Sequence, residues 1–159
     1  GARAGAVEAA HARIEHLETA EAHDTVIHDG AAEALSALPP ERVAIATAGT
    51  REVATARLES AGIVIPPVFV TANDISAAKP DPEIFLAAAE RLGVAAEDCL
   101  VVEDAPYGVA AGKAAGCAVL AVTTTVTRDR LADADAVVDS LDQVAWEIAK
   151  DGRILVTIR

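Results

Sequence analysis

Five short apolar runs, at residues 43–47, 68–71, 99–103, 118–123 and 136–138, alternate with segments punctuated like helices. Runs so brief and so evenly apolar suit strands buried on both faces, and parallel strands need crossovers of about a dozen residues, usually helical. The intervening text supplies them. A helix is predicted from Thr50 to Ser60, stopping at Gly62. A second runs over 82–92, opened by Asp81 as N-cap with Pro82 in its first turn and closed by Gly93. A third covers 107–115 and ends at Gly116. The expected fold class is α/β, a parallel sheet with helices on both faces.

The two ends read differently. Val7, Ala10, Ile14 and Leu17 recur with a helical period, and Asp29 is the expected N-cap of a helix reaching Leu38 before Pro39-Pro40 ends it. At the other end Val144, Trp146 and Ile148 alternate with small or polar residues, as do Ile154, Val156 and Ile158. With Asp151-Gly152 between them, these predict a C-terminal β-hairpin with a two-residue turn, outside the parallel core.

With 159 residues, the expectation is one domain plus the remnant of another. A formal charge of −12 argues against a nucleic-acid or anionic-membrane partner, which would need a basic face. No apolar run approaches the roughly 20 residues of a membrane span, and no leader opens the sequence, so a soluble, cytoplasmic protein is expected. Cys99 and Cys117 lack metal-ligand spacing and are expected to be buried, reduced thiols. His11, His16, His23 and His28 are expected to be solvated or capping, because pairs five apart do not share a helix face. The sequence holds no methionine, even at position 1, so Gly1 is not expected to be the natural start.

The residues that carry chemistry fall where the apolar runs end, which is the ligand-binding edge of a parallel sheet. Glu103 and Asp104 stand side by side between the run at 99–103 and a helix. Thr47 precedes Ala48-Gly49-Thr50 at another helix start, where a hydroxyl and free amides suit a phosphate. Lys79 lies in Lys79-Pro80-Asp81-Pro82, and the proline biases it towards an extended backbone, aiming it away from the helix that follows. Two carboxylates, one lysine, one hydroxyl and free amides compose a site for Mg²⁺ and a phosphate. Taken singly, a helix cap for Thr47, a solvated charge for Lys79 and a dipole complement for Glu103 and Asp104 stay open.

In that order, Thr47, then Lys79-Pro80-Asp81-Pro82-Glu83-Ile84-Phe85, then Val101-Val102-Glu103-Asp104, then 108–116, the sequence resembles the haloacid dehalogenase (HAD) superfamily. It looks most like the branch of sugar- and polyol-phosphate phosphatases and β-phosphoglucomutase, over roughly residues 29 to 140. The resemblance implies a Rossmann-like core domain over 26–159 and a helical cap domain, of which residues 1–25 would be the remnant. It implies a hydrolase, a phosphatase acting on a small phosphorylated metabolite through an aspartyl-phosphate. Thr47, with the amides of Ala48 and Gly49, would bind the phosphoryl group. Lys79 would neutralise it, and Glu103 and Asp104 would hold magnesium.

One part of the family pattern is missing from these residues. The Asp-x-Asp that closes the family's opening strand, and supplies its nucleophile, has no counterpart here. Asp133-Ala134-Asp135 lies in a polar stretch with no apolar run leading into it. The resemblance therefore implies that a segment is absent from the front, and with it a strand between those ending at Thr47 and Glu103. The expected occupant of that place lies outside this sequence, a partner being the protein's own N-terminal segment. Two alternatives stand beside the phosphatase: a β-phosphoglucomutase-like phosphotransferase, and a non-catalytic domain that binds phosphate or a partner.

Overall fold

The computed structural model describes Arg13 and residues 25–159. Among residues 25–159, seven strands and four α-helices follow one another as α1 (Ala31–Ala37), β1 (Ala44–Ala46), α2 (Arg51–Ser60), β2 (Val68–Val70), α3 (Glu83–Leu92), β3 (Leu100–Glu103), α4 (Pro106–Ala114), β4 (Ala118–Val122), β5 (Ala136–Val138), β6 (Val144–Ile148) and β7 (Ile154–Ile158). Every apolar run that alternation marks as a strand is one. All pairings among β1 to β5 are parallel, in the α/β arrangement expected. None of the helices among the described residues is long and apolar enough to cross a membrane.

The parallel strands form two separate ladders. β1 pairs only with β2, and β3, β4 and β5 pair in that order. One core nonetheless spans both, because Val68 and Val70 from the first ladder pack with Val101, Val119 and Ala121 from the second around Ile84, Phe85 and Ala88 of α3. Gly112 allows α4 to lie on the second ladder, since a Cβ there would stand 2.8 Å from Val119 and 3.4 Å from Val101. Coverage is not uniform. Val101 is buried, whereas Leu100 and Val102 on the opposite face of β3 are 38% and 41% exposed. The expectation that every parallel strand is covered on both faces therefore fails at β3.

The two outer edges of the ladders are closed by arginines. The carbonyl of Phe69 points away from β1 and accepts from Arg51 (3.2 Å) and Arg91 (3.3 Å), both of which also pair with Asp74. On the far side the Val137 carbonyl accepts from Arg128 at 2.7 Å, which pairs with Asp139. An edge so occupied offers little to a further strand. Asp74 is held well below the usual carboxylate range, first by the Thr71 amide, then by the Thr71 hydroxyl and Arg91. A carboxyl depressed in the folded state adds stability above its unfolded pKa of about 4 and loses it as pH falls towards the folded value. Asp74→Asn is therefore expected to lower the thermal midpoint at neutral pH and to flatten its fall in acid. Identical melting curves from pH 7 downwards would show the clamp to be inert.

Three local expectations need correction. Gly30, with φ of +80°, is the N-cap of α1, and Asp29 makes no side-chain cap. A Cβ at Gly30 would lie 2.2 Å from the Asp142 amide, so only glycine lets this turn sit against the 141–143 segment, where the Ser140 hydroxyl also donates to the Asp29 carbonyl. The hairpin β6–β7 is present and antiparallel, but its loop is three residues, Lys150-Asp151-Gly152. Its ends are closed by the Gly152 amide on the Ala149 carbonyl and the Ala149 amide on the Arg153 carbonyl. Asp151 turns back to accept from the Arg153 amide, and Gly152 takes the left-handed place with φ of +85°. Finally, Pro82 occupies the N-cap of α3, while Asp81 still accepts the Glu83 amide at 2.9 Å.

The helix expected from Thr50 begins at Arg51, with Thr50 as its N-cap accepting from the Val53 amide, and Gly93 ends α3 with φ of +72°. Both cysteines are free thiols. Cys117 is buried and Cys99 half-buried, and burial pushes both thiols up. The expected cap remnant at 1–25, and His11, His16 and His23, lie outside the described residues apart from Arg13 and Thr25.

Candidate active site

All the residues singled out for chemistry lie at or beyond the carboxyl ends of strands. Thr47 follows β1, and its amide extends that ladder by donating to the Val70 carbonyl. The Thr47 hydroxyl then accepts the Gly49 amide at 3.2 Å, which fixes the turn into α2. Glu103 is the last residue of β3 and Asp104 the next. Lys79 comes from the segment before α3, where the Lys79–Pro80 bond is cis.

The structure brings two of these residues into direct contact. Lys79 and Glu103, 24 positions apart, form an ion pair between Nζ and Oε1, with side chains only 15% and 10% exposed. The ammonium also lies 4.8 Å from the centre of the Phe85 ring, so Ile84-Phe85 of α3 both fills the core and seats the lysine. Glu103 is pressed flat on the backbone of α4. A Cβ at Gly108 would stand 2.0 Å from its Cδ and 2.1 to 2.4 Å from its two oxygens. Gly108 is needed here for space, because its φ is not positive.

Asp104 is oriented differently. Its Oδ2 accepts from the hydroxyls of Thr124, at 3.3 Å, and Thr125, on the loop that leaves β4. Thr47 makes no hydrogen bond to Lys79, Glu103 or Asp104, and the Gly49 amide is turned towards Thr47 itself. Two adjacent carboxylates thus take separate positions: one against a lysine under α4, the other half-exposed beneath two hydroxyls.

Among the described residues no group of three or more His, Cys, Asp or Glu side chains forms a metal cage. What Asp104 offers is a partial set of hard oxygen donors, which fits a magnesium-like ion and not a soft metal. The sequence pointed to Thr47, Lys79, Glu103 and Asp104 but missed Thr124, Thr125 and the spatial need for Gly108. The available signal was position. Thr123-Thr124-Thr125 leaves β4 at the same sheet edge as Asp104 leaves β3, because Glu103 is in register with Ala121.

Asp133-Ala134-Asp135 is structurally committed elsewhere. Asp135 pairs with Lys113 at 2.6 Å and accepts the Val119 amide at 2.7 Å, which holds it below the usual carboxylate range. It ties the approach to β5 onto α4 and the amino half of β4, away from the carboxyl edge.

A family model described as haloacid dehalogenase-like hydrolase matches residues 2–116. Hexitol phosphatase A of Escherichia coli K12 is 40% identical over 146 residues, which cover 91% of this chain and 68% of that protein. Glycerol-1-phosphate phosphohydrolase 2 of Saccharomyces cerevisiae is 45% identical over 105 residues, 62% of this chain and 42% of that one. Among solved structures, a β-phosphoglucomutase from Clostridium difficile superposes with a TM-score of 0.64 at 29% identity, covering 74% of this chain and 52% of that one. The chain thus spans about two thirds of the bacterial phosphatase and about half or less of the other two.

Proposed function

Because the chain belongs to the haloacid dehalogenase-like hydrolase family, we propose that its site hydrolyses the phosphate ester of a small sugar or polyol phosphate. The observation that carries this reading is the Lys79–Glu103 pair, a held cation at the same sheet edge as Thr47 and Asp104. Relatives named for hexitol and glycerol phosphates support the substrate class. Magnesium would be held by Asp104, with Glu103 beside it, and would polarise the phosphoryl group when bound. The Thr47 hydroxyl, still accepting the Gly49 amide, donates its own proton to a phosphoryl oxygen. Lys79 offsets the charge that develops on transfer.

Covalent transfer needs a carboxylate nucleophile. Its oxygen bonds to phosphorus as the ester oxygen leaves with a proton, and water then cleaves the acyl phosphate to restore the carboxylate and release inorganic phosphate. We place that carboxylate on a strand outside these 159 residues, in the family's own N-terminal position, inserted between β1 and β3. Two features support the placement. Alternation along a parallel ladder turns the amides and carbonyls of Ala44 and Ala46, and of Leu100 and Val102, away from β2 and β4. The outer edges, by contrast, are closed by Arg51, Arg91 and Arg128. Residues 1–25 are read as the end of a cap domain and 26–159 as the core.

The deciding experiment is phosphate release from hexitol and glycerol phosphates, with and without magnesium. It would compare purified residues 1–159 with the same chain extended by an N-terminal strand ending in Asp-x-Asp. Turnover is expected only in the extended protein. Magnesium-dependent release by residues 1–159 alone would overturn the placement of the nucleophile, and no release by either would overturn the phosphatase reading. The superposition on a β-phosphoglucomutase favours one other outcome, followed by phosphorus NMR: a sugar product that keeps its phosphate.

A further inference from the structure

We propose that Thr124 and Thr125 are positioning residues that set how Asp104 presents itself to a cation, and thereby which cation the site prefers. The inference rests on Asp104 being the metal ligand of the proposed phosphatase site. Both hydroxyls converge on the same atom, Oδ2 of Asp104, and none is directed at Oδ1. A carboxylate oxygen has two lone pairs, so two hydroxyl donors saturate Oδ2 and leave Oδ1 as the free donor.

Burial does not explain the two threonines. Thr124 and Thr125 are exposed and Asp104 is half-exposed, so water alone would satisfy all three. Nor is the loop loose. Thr123, one residue earlier, turns the other way and donates to Asp139 at 3.1 Å. Asp139 is in turn held by Arg128, the arginine that closes the outer edge of β5. The segment is therefore pinned on one side of the strand end and presents its hydroxyls on the other, in register with the carboxyl end of β3.

A carboxylate with one oxygen occupied binds through the other alone. Magnesium accepts this readily, since it takes few protein ligands in a tight octahedron and keeps several waters. Calcium gains from two-oxygen carboxylate coordination, which this arrangement denies it. The hydroxyl pair therefore selects for the smaller ion, and its removal lets Asp104 rotate and use both oxygens.

The test measures Mg²⁺, Mn²⁺ and Ca²⁺ binding by calorimetry on the strand-extended protein, on its Thr124→Val/Thr125→Val double variant and on its Asp104→Asn variant, with circular dichroism confirming the fold of each. In the double variant, Mg²⁺ and Mn²⁺ affinity is expected to fall by about 10-fold or more, as for other residues that orient a metal ligand. Ca²⁺ affinity is expected to hold or rise, so the preference shifts towards calcium. A Thr124→Ser/Thr125→Ser variant, which keeps both hydroxyls, should restore the original order. An unchanged ratio of Mg²⁺ to Ca²⁺ affinity in the valine variant would overturn the proposal while leaving Asp104 as the ligand. No loss of Mg²⁺ binding in Asp104→Asn, or no binding by the unaltered strand-extended protein, would instead overturn the reading of the metal site, and the proposal with it.

Discussion

Replacing Lys79 by alanine is expected to lower phosphate release by the strand-extended protein about 100-fold or more. The side chain is held on two sides, by Glu103 and by the Phe85 ring. Its charge is therefore in place before substrate arrives, and positioned charge of this kind acts on the transition state. The substitution also leaves the Glu103 carboxylate, 10% exposed, without its counter-ion. Stranding a carboxylate at that depth costs about 3 kcal/mol. A second variant separates the two effects. Lys79→Ala combined with Glu103→Gln removes the stranded charge, so thermal stability should recover while turnover stays low. A single variant with turnover within about threefold of the parent would reduce Lys79 to a structural counter-ion of Glu103 with no part in turnover.

A comparable loss is expected from Gly108→Ala, although the added methyl touches no substrate. The Cβ would overlap all three atoms of the Glu103 carboxyl group at 2.0 to 2.4 Å. The carboxylate is the free end of a side chain and can swing aside, so α4 should form and circular dichroism should be unchanged. It cannot swing aside and keep Lys79, because the Oε1 that pairs with Lys79 is one of the two oxygens lying against Gly108. Turnover is therefore expected to drop about 100-fold, matching Lys79→Ala, and the two changes together should cost little more than either alone. Additive losses would show that Gly108 acts through something other than Glu103. Gly112→Ala serves as the contrast, since its Cβ would press on Val119 and Val101 in the core and should reduce stability in preference to turnover.

The parallel strands were legible because each is an apolar run of three to five residues bounded by turn residues, and Gly93 announced its helix end by residue type alone. The site was legible as a list of positions at strand ends. What escaped is what depends on distance in space. No spacing shows that Lys79 meets Glu103 across 24 residues, or that two neighbouring carboxylates part company, one under α4 and one under the β4 loop. Asp29-Gly30 was misread because either residue type caps a helix, and the choice was made by the nearby Asp142 backbone, more than a hundred positions away. The hairpin loop gained a residue because Asp151 bonds forward to Arg153 and moves the turn back by one position. The exposed face of β3 followed from tertiary arrangement, which the composition of Leu100-Val101-Val102 does not encode.

The arginine-closed outer edges also bear on self-association. A chain with open strand edges risks templating its own aggregation, and the risk grows with concentration. Here the edges at Phe69 and Val137 are blocked by side chains that are part of the folded domain. Within the parallel ladders, mispairing is thereby confined to the inward-facing backbone of β1 and β3. If the strand proposed between β1 and β3 is tethered to this chain, it reaches them at an effective concentration that dilution does not change, whereas a second copy must arrive by diffusion. On the proposed insertion, the pair of edges that accepts the added strand is also the pair that must be shielded until it comes.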